Sequence, residues 1–500
     1  MSNYKAPGVY IEEKSSGSKP IEGVATAVAA FIGVTERVNE EDKGKFKPIS
    51  NWNQFIKEFC VGDGPVYSDN WYLPHAVYGF FENGGSKCYV ASLEEYMPKA
   101  DIRYKGYSVY ATYNDYEINI ETKKEEPQSN NIEIEEKIKD RQPNKFKVTK
   151  EKDQNDLSKI IDLINIQSKY FKLHDFKDTS STESKDEPME IKIEVKVLQL
   201  DKYVELFKGD LSKRTGIAGL EAIDDVNLIC IPDLVAIKDD NNTIYKSVYE
   251  SLIAHCEKMG SRMAIIDVPK DKKHADIETL KKILPTSDRG YGAVYYPWIK
   301  ISDPNKLGKE KLIPPSGHIA GVYNRVDNER GLQKAPANEV IRGALDVEEN
   351  LTQSEIGDFN EKNINCIQNF PGRGVRIWGA RTLATDSEWK YINVRRLFNY
   401  VKKSIENGTQ WAVFEPNDQD LWERIKRNVS AFLTGLWRNG ALFGSTKEEA
   451  FYVICDESTN PPDMRDKGYV ITEIGIAPVK PAEFVVFRIS QKESGASVSE

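Results

Sequence analysis

The feature that most restricts how this chain can fold is a change of texture in its middle. In residues 121–155, 18 of 35 are charged, and in residues 177–196, 10 of 20 are. Eight tryptophans are spread over the chain, and none falls between residues 96 and 200. A stretch this polar buries too little apolar surface to be the centre of a domain. On either side, short apolar runs alternate with segments of helical spacing, the pattern of a sheet with helices on its faces. The expectation is an α/β core assembled from both flanks and interrupted by a solvated insertion. Within the insertion, residues 116–120 and 191–195 alternate as strands with one wet face do, and residues 157–170 place Ile160, Ile161 and Ile164 on one helical face. A small α+β insertion suits these runs; a disordered linker is the other reading.

In the first flank, residues 24–34 suit a buried strand. Residues 52–59 and 71–81 have helical spacing, Asn83-Gly84-Gly85 stops the second helix, and residues 88–91 resume as a strand. After residue 211 the alternation returns, with strands at 226–231, 262–268 and 293–298 and helices at 247–259 and 279–283. A loop-rich stretch runs from Pro304 to Pro336. Beyond residue 362, strands are expected at 374–378, 411–414, 450–455, 470–476 and 484–489, and long helices at 394–406 and 421–437. Pro478 and Pro481 break the chain between the last two strands. At the start, Val9-Tyr10-Ile11 lies between Pro7-Gly8 and Ser15-Ser16-Gly17-Ser18. It reads as a β-capable arm on a flexible linker, or as a frayed terminus.

Composition excludes several functions. With 69 basic and 78 acidic residues the net charge is −9, which argues against a nucleic-acid partner and gives no attraction to anionic lipid. The longest uncharged apolar stretch, residues 23–34, is short of the roughly 18–20 residues a bilayer span needs. Glu12, Glu13 and Lys14 interrupt the start, so no signal peptide is expected, and the chain is expected to be made and folded in the cytoplasm. Cys60, Cys88, Cys230, Cys256, Cys366 and Cys455 have no C-x-x-C spacing and read as buried reduced thiols. His75, His174, His255, His274 and His318 share no metal-like spacing, and neither metal nor cofactor is expected. No G-x-S-x-G elbow or G-x-x-x-x-G-K-[ST] loop occurs. The glycines of Phe370-Pro371-Gly372-Arg373-Gly374 lead into a strand, so a turn is expected there and not a phosphate cradle. Asp224-Asp225 and Asp239-Asp240 lack a calcium-loop pattern. A structural or binding protein is favoured over a catalyst. An enzyme with an undetected site and a monomeric receptor-binding protein are the other classes.

Several strings resemble one family. They are FPGRGVRIWGARTL (370–383), YINVRRLFNYVKKSIENGTQWAVFEPND (391–418), FLTGLWRNGALFG (432–444), EEAFYVICDESTNPPDMRDKGYV (448–470) and IGIAPVKPAEFVVFRI (474–489). YKAPGVYIEE (4–13), residues 23–33 and NGGSKCYV (83–90) agree. Over residues 1–95 and 205–490 the chain resembles the tail sheath proteins of contractile phage tails and contractile injection systems.

That resemblance implies an α/β and α+β multidomain chain. Its divisions would be an N-terminal arm (1–20), an α/β middle domain (21–95 with 205–345), a variable outward-facing insertion (96–204), a C-terminal sheath domain facing the tube (346–490) and a flexible tail (491–500). It implies a helical homo-oligomer of stacked six-fold rings around an inner tube, joined to baseplate and cap or terminator proteins, that contracts to drive the tube through a membrane. A sheath-like terminator or baseplate-proximal part is the alternative. The particle would be a phage tail or a tail-like injection device, and release outside the cell is compatible with it. The arm role falls on Gly8, Val9, Tyr10, Ile11 and Glu12. The exchanged C-terminal strand falls on Glu483, Phe484, Val485, Val486, Phe487, Arg488 and Ile489. The short tube-facing helix falls on Asp463, Arg465, Asp466 and Lys467, where this sequence adds two basic residues to the family's acidic pattern.

Overall fold

The computed structural model describes residues 20–60, 71–95, 200–237, 242–270, 272–303 and 308–488, together with the backbone of seven strands between residues 99 and 194. Eight strands form the central sheet. They are β1 (Ala29–Thr35), β2 (Phe46–Ile49), β3 (Cys88–Glu95), β11 (Leu228–Cys230), β12 (Met263–Asp267), β13 (Gly292–Tyr296), β17 (Ile364–Phe370) and β18 (Gly374–Trp378). Their order is β18-β17-β13-β12-β11-β1-β3-β2. Pairing is parallel from β17 through β3, and the edge strands β18 and β2 are antiparallel to their neighbours.

Every residue of β1, β11, β12 and β13 is buried, as expected of parallel strands covered on both faces. The two-residue period sorts the side chains. Ala29 and Phe31 face one core with α1 (Trp52–Phe59), α2 (Leu73–Glu82) and α6 (Ser316–Arg330). Ala30 and Ile32 face the other, with α3 (Leu200–Lys208), α4 (Thr243–Met259), α5 (Ile277–Ile283) and α7 (Gln353–Glu361). Buried carboxylates hold two helix starts. Asp233 accepts from the backbone N–H of Tyr72 and Leu73 at the head of α2 and from Val34. Asp267 accepts from the Ser316 N–H and hydroxyl at the head of α6. Burial pushes both carboxyls up to about 7, against the pull of those donors.

Helix α6 corrects the expected loop at 304–336. Its residues from Ser316 to Val326 are all buried, so no polar face marks the period. Gly317 and Gly321 read as breakers, but here they admit α2. A Cβ on Gly317 would overlap the Ala76 carbonyl oxygen, and one on Gly321 the Phe80 carbonyl oxygen. The strand expected at 411–414 is also absent. Gln410–Ala412 is a single tight turn, and Val413 and Phe414 point to solvent. Four apolar residues in a row do not distinguish a strand from a connector. Sequence reading missed β2, β17, α3, α7 and the small sheet of β14 (Ile299–Ser302), β15 (Glu310–Ile313) and β16 (Ala344–Val347), in the order β15-β14-β16. The Phe370–Gly374 segment is a tight hairpin between β17 and β18, with Gly372 and Gly374 at φ of 73° and 77°.

Between β3 and α3 the described backbone forms a separate antiparallel sheet. Its strands are β4 (Lys99–Tyr104), β5 (Tyr107–Tyr113), β6 (Ile118–Lys123), β7 (Asn131–Ile138), β8 (Asn144–Thr149), β9 (Phe171–Phe176) and β10 (Glu190–Glu194), in the order β8-β7-β6-β10-β4-β5-β9. Strands β6 and β10 coincide with the two alternating runs. The helix expected at 157–170 lies outside the described residues.

Candidate assembly site

The C-terminal part is built on two long helices, α8 (Ile392–Gly408) and α9 (Gln419–Arg438), with the antiparallel pair β19 (Phe451–Ile454) and β20 (Glu473–Ile476). Leu397, Val401, Leu421, Val429 and Leu433 form its core, joined by Ile21 from the other end of the chain. The side chain of Asp418 caps α9 by accepting from the Leu421 N–H at 3.0 Å. A buried ion pair, Arg396 with Asp327, fastens α8 to α6, and Arg396 also donates to the Thr26 carbonyl at 3.0 Å. Burial would lower the Arg396 pKa, but the Asp327 charge outweighs it and the net shift is upward.

The last described segment is held in its first half and free in its second. The Phe443 N–H donates to the Ala477 carbonyl (2.8 Å), the Val479 N–H to the Ala441 carbonyl (3.3 Å) and the Asn393 amide to the Val479 carbonyl (2.8 Å). Glu483 then meets partners from three places. Arg381 donates from Nε (2.7 Å) and Nη2 (2.9 Å), Asn360 from its amide (2.9 Å) and Tyr391 from its hydroxyl (3.1 Å), while Lys390 lies 3.4 Å away. Burial alone would raise the Glu483 carboxyl. The Arg381 and Asn360 bonds and the charges of Arg381 and Lys390 reverse that and hold it at about 2. Arg381 is itself fixed, since its backbone exchanges two 2.7 Å bonds with the Asn365 side chain.

Beyond Glu483 the picture inverts. Phe484, Val485, Val486 and Phe487 are 68–84% exposed. They join no ladder among the described residues, so the terminal strand expected within the chain is not formed; Ile489 lies outside the described residues. Elsewhere in the C-terminal part, β19 and β20 pair only with each other among the described strands. The Tyr452 ring lies across Gly475, and its hydroxyl donates to Glu473 at 3.0 Å. Four consecutive exposed apolar residues and a two-stranded ribbon are both unusual on an isolated chain.

The segment Asp463–Lys467 falls where one helical turn was expected. Pro462–Asp466 is α10, entered through Pro461 and closed by Gly468 at φ 81°. Asp463, Arg465, Asp466 and Lys467 are all exposed, and the Arg465 guanidinium lies 5.8 Å from the Trp422 ring. The arm residues Gly8 to Glu12 lie outside the described residues, but the chain's root is placed. Ile21 packs against Gly408, and the Val24 N–H donates to Ser404 at 3.2 Å. Sequence reading missed Arg381, Asn360, Lys390, Tyr391 and Asn460. Asn460 is buried and fastens the α10 loop by bonding both backbone groups of Ile471. The strings 370–383 and 391–418 hold Arg381 and Tyr391, but nothing in them names Glu483 as partner.

Among the described residues, the cysteines and histidines weighed for chemistry are buried or engaged with neighbours. All six cysteines are free and buried, and burial pushes the Cys256 and Cys366 thiols up to about 12. His255 bonds Arg262 at 2.7 Å and His274 bonds Asp358 at 2.9 Å. His75 and His318 are buried beside α2 and α6. Among the described residues no cluster could hold a metal ion, and no helix is long and apolar enough to cross a membrane.

Two family models match, together covering more than half of the chain. The phage tail sheath protein central domain spans residues 211–383, and the phage tail sheath C-terminal domain spans residues 384–492. The chain belongs to the phage tail sheath family. It is 27% identical over 213 residues to the tail sheath protein of Vibrio phage KVP40, a match covering 42% of this chain and 30% of that one. It is 30% identical over 185 residues to the tail sheath protein of Burkholderia phage BcepMu, covering 35% and 37%. The matched stretches thus span about a third of those relatives. Among solved structures, the helical sheath of the anti-feeding prophage in its contracted state is 25% identical, with a TM-score of 0.60, over 98% of this chain and 100% of that one. The sheath relatives are structural proteins and not enzymes, which agrees with the reading of the sequence.

Proposed function

We propose that this chain is the repeating subunit of a contractile sheath, which polymerises helically around an inner tube and contracts to drive the tube through a target membrane. Two observations carry the reading together: the exposed strip Phe484–Phe487, and a β19–β20 ribbon whose outer edges pair with no other described strand. An open edge is normally an aggregation hazard. In a polymer it is an attachment point, because a neighbour's strand adds backbone hydrogen bonds by β-augmentation. The likeness to a contracted helical sheath supports the same arrangement. In this reading residues 8–12 and 483–489 form the exchanged terminal strands, and the insertion faces outward. Asp463, Arg465, Asp466 and Lys467 meet the inner tube. The particle is a phage tail or tail-like injection device whose sheath rests on a baseplate and ends at a cap. Contraction is a rigid-body repacking of subunits that keeps the strand links.

Electron microscopy of the expressed full chain tests the proposal. Hollow striated cylinders are expected from the full chain, and folded monomers from a deletion of residues 1–17. Cylinders from that deletion would remove the arm from the account. Reversing Asp463 and Asp466 to Lys is expected to leave the cylinders intact and weaken co-sedimentation with the inner tube protein.

A further inference from the structure

The two ends of the described chain take root on one helix. Ile21 and Val24 sit at the C-terminal end of α8, against Gly408 and Ser404. Val479 sits at its N-terminal end, against Asn393. Residues 393 to 408 of a helix span about 22 Å at roughly 1.5 Å per residue. The helix is buttressed between them. Arg396 pairs with buried Asp327, and the Arg395 guanidinium stacks 4.0 Å from the Trp389 ring while bonding Asn399 at 3.0 Å. Load entering one strand link can therefore reach the other through one rigid element, provided the C-terminal root does not slip.

We propose that Glu483 is the pin that prevents this slip. The chain up to Glu483 stays with its own subunit, and the part that crosses to a neighbour begins at Phe484. This rests on the strand-exchange reading above and adds to it the residue that sets where own chain ends and exchanged chain begins. The geometry favours a pin over an ordinary surface ion pair. Glu483 receives two parallel bonds from one guanidinium, a geometry that resists rotation as well as extension. It also receives Asn360 from the end of α7 and Tyr391 from the residue before α8. Arg381 is held in turn by its bonds to Asn365, which also donates to the Val294 carbonyl at 3.0 Å in the central sheet. Tension on Phe484 is thus passed to the core and not to a loop. The change from a side chain with four partners to four exposed residues takes place within a single peptide unit.

Glu483→Ala and Glu483→Gln in the full chain test this beside a deletion of residues 484–500. Three readings are taken: melting of the unassembled chain, half-life of preformed cylinders in urea, and amide hydrogen exchange over residues 477–483. The pin predicts a chain that still folds with lowered melting, cylinders that still form, a half-life shortened by about tenfold for Glu483→Ala, and faster exchange over 477–483. Such a loss is of the order expected from one charge-assisted contact. Glu483→Gln, which keeps the shape without the charge, should fall between. If the 484–500 deletion still builds cylinders, strand exchange at this end is wrong. If the deletion stops assembly but both substitutions leave half-life and exchange at the wild-type level, exchange stands and the pin is wrong. If Glu483→Ala misfolds, Glu483→Gln decides by the same two readings.

Discussion

The central sheet and the β19–β20 ribbon are made from similar strands and finished in opposite ways. The central strands are covered on both faces, and their buried residues fall into two packed clusters, one per face. The ribbon is two strands wide, its residues are mostly half-exposed, and four exposed apolar residues follow it later in the chain. Strand composition does not create this difference. Covering helices do: α1, α2 and α6 on one face of the large sheet and α3, α4, α5 and α7 on the other leave it complete, while the ribbon is backed by α9 and the short helix at Lys447–Ala450 and stays half-exposed. One sheet is an interior, and the other is, in the proposed function, a surface for assembly.

Four changes would break or sharpen that contrast. Deleting residues 484–500 has the largest expected effect: cylinder formation is lost while the melting of the chain barely moves, because Phe484 to Phe487 are exposed and belong to none of its packed clusters. Circular dichroism beside microscopy reads both. In the closed region, Arg396→Ala leaves Asp327 buried without its partner and should cost about 3–5 kcal/mol in urea unfolding. Gly321→Val forces a side chain into the Phe80 carbonyl and should cost about 1–3 kcal/mol by the same measurement. Phe414→Gly is the smallest. Phe414 is fully exposed at φ 67°, a conformation that costs an L-residue about 1–2 kcal/mol, so glycine should recover up to about 1 kcal/mol net of its own entropy.

Acid separates the two regions as well. The Glu483 carboxyl is held below its ordinary 4.5, at about 2. Its contribution is therefore present above about pH 4.5 and is lost as the pH falls toward 2. Asp233 and Asp267 are shifted the other way, so falling pH relieves their buried charge. Between pH 5 and 2, exchange at residues 477–483 should rise before exchange in β11 and β12 does. Simultaneous loss of protection would contradict the assignment.

Much of the core was legible because its strands are short apolar runs and most of its helices show a polar face. Residues 52–59, 226–231 and 421–437 were placed within a few residues for that reason. Helix α6 was not, because burial on all sides erases the period, and its glycines serve close packing with α2. The ladder absent at 484–488 has a different cause. Phe484 to Phe487 have strand composition, but a strand needs a neighbour, and no other described strand lies beside them. The pin at Glu483 was illegible because Asn360, Arg381 and Tyr391 lie far from it in sequence, and only the fold brings them together. The charges of α10 were legible as exposed; their partner is not written in them.

A density map of the assembled cylinders tests the central claim most directly. The account predicts that β19 and β20 form the middle of a wider sheet, flanked by strands from neighbouring copies, one of them running onward from a Glu483 still bonded to Arg381 of its own chain. Cylinders in which the ribbon stays two-stranded, with Phe484 to Phe487 packed on their own subunit, would contradict it.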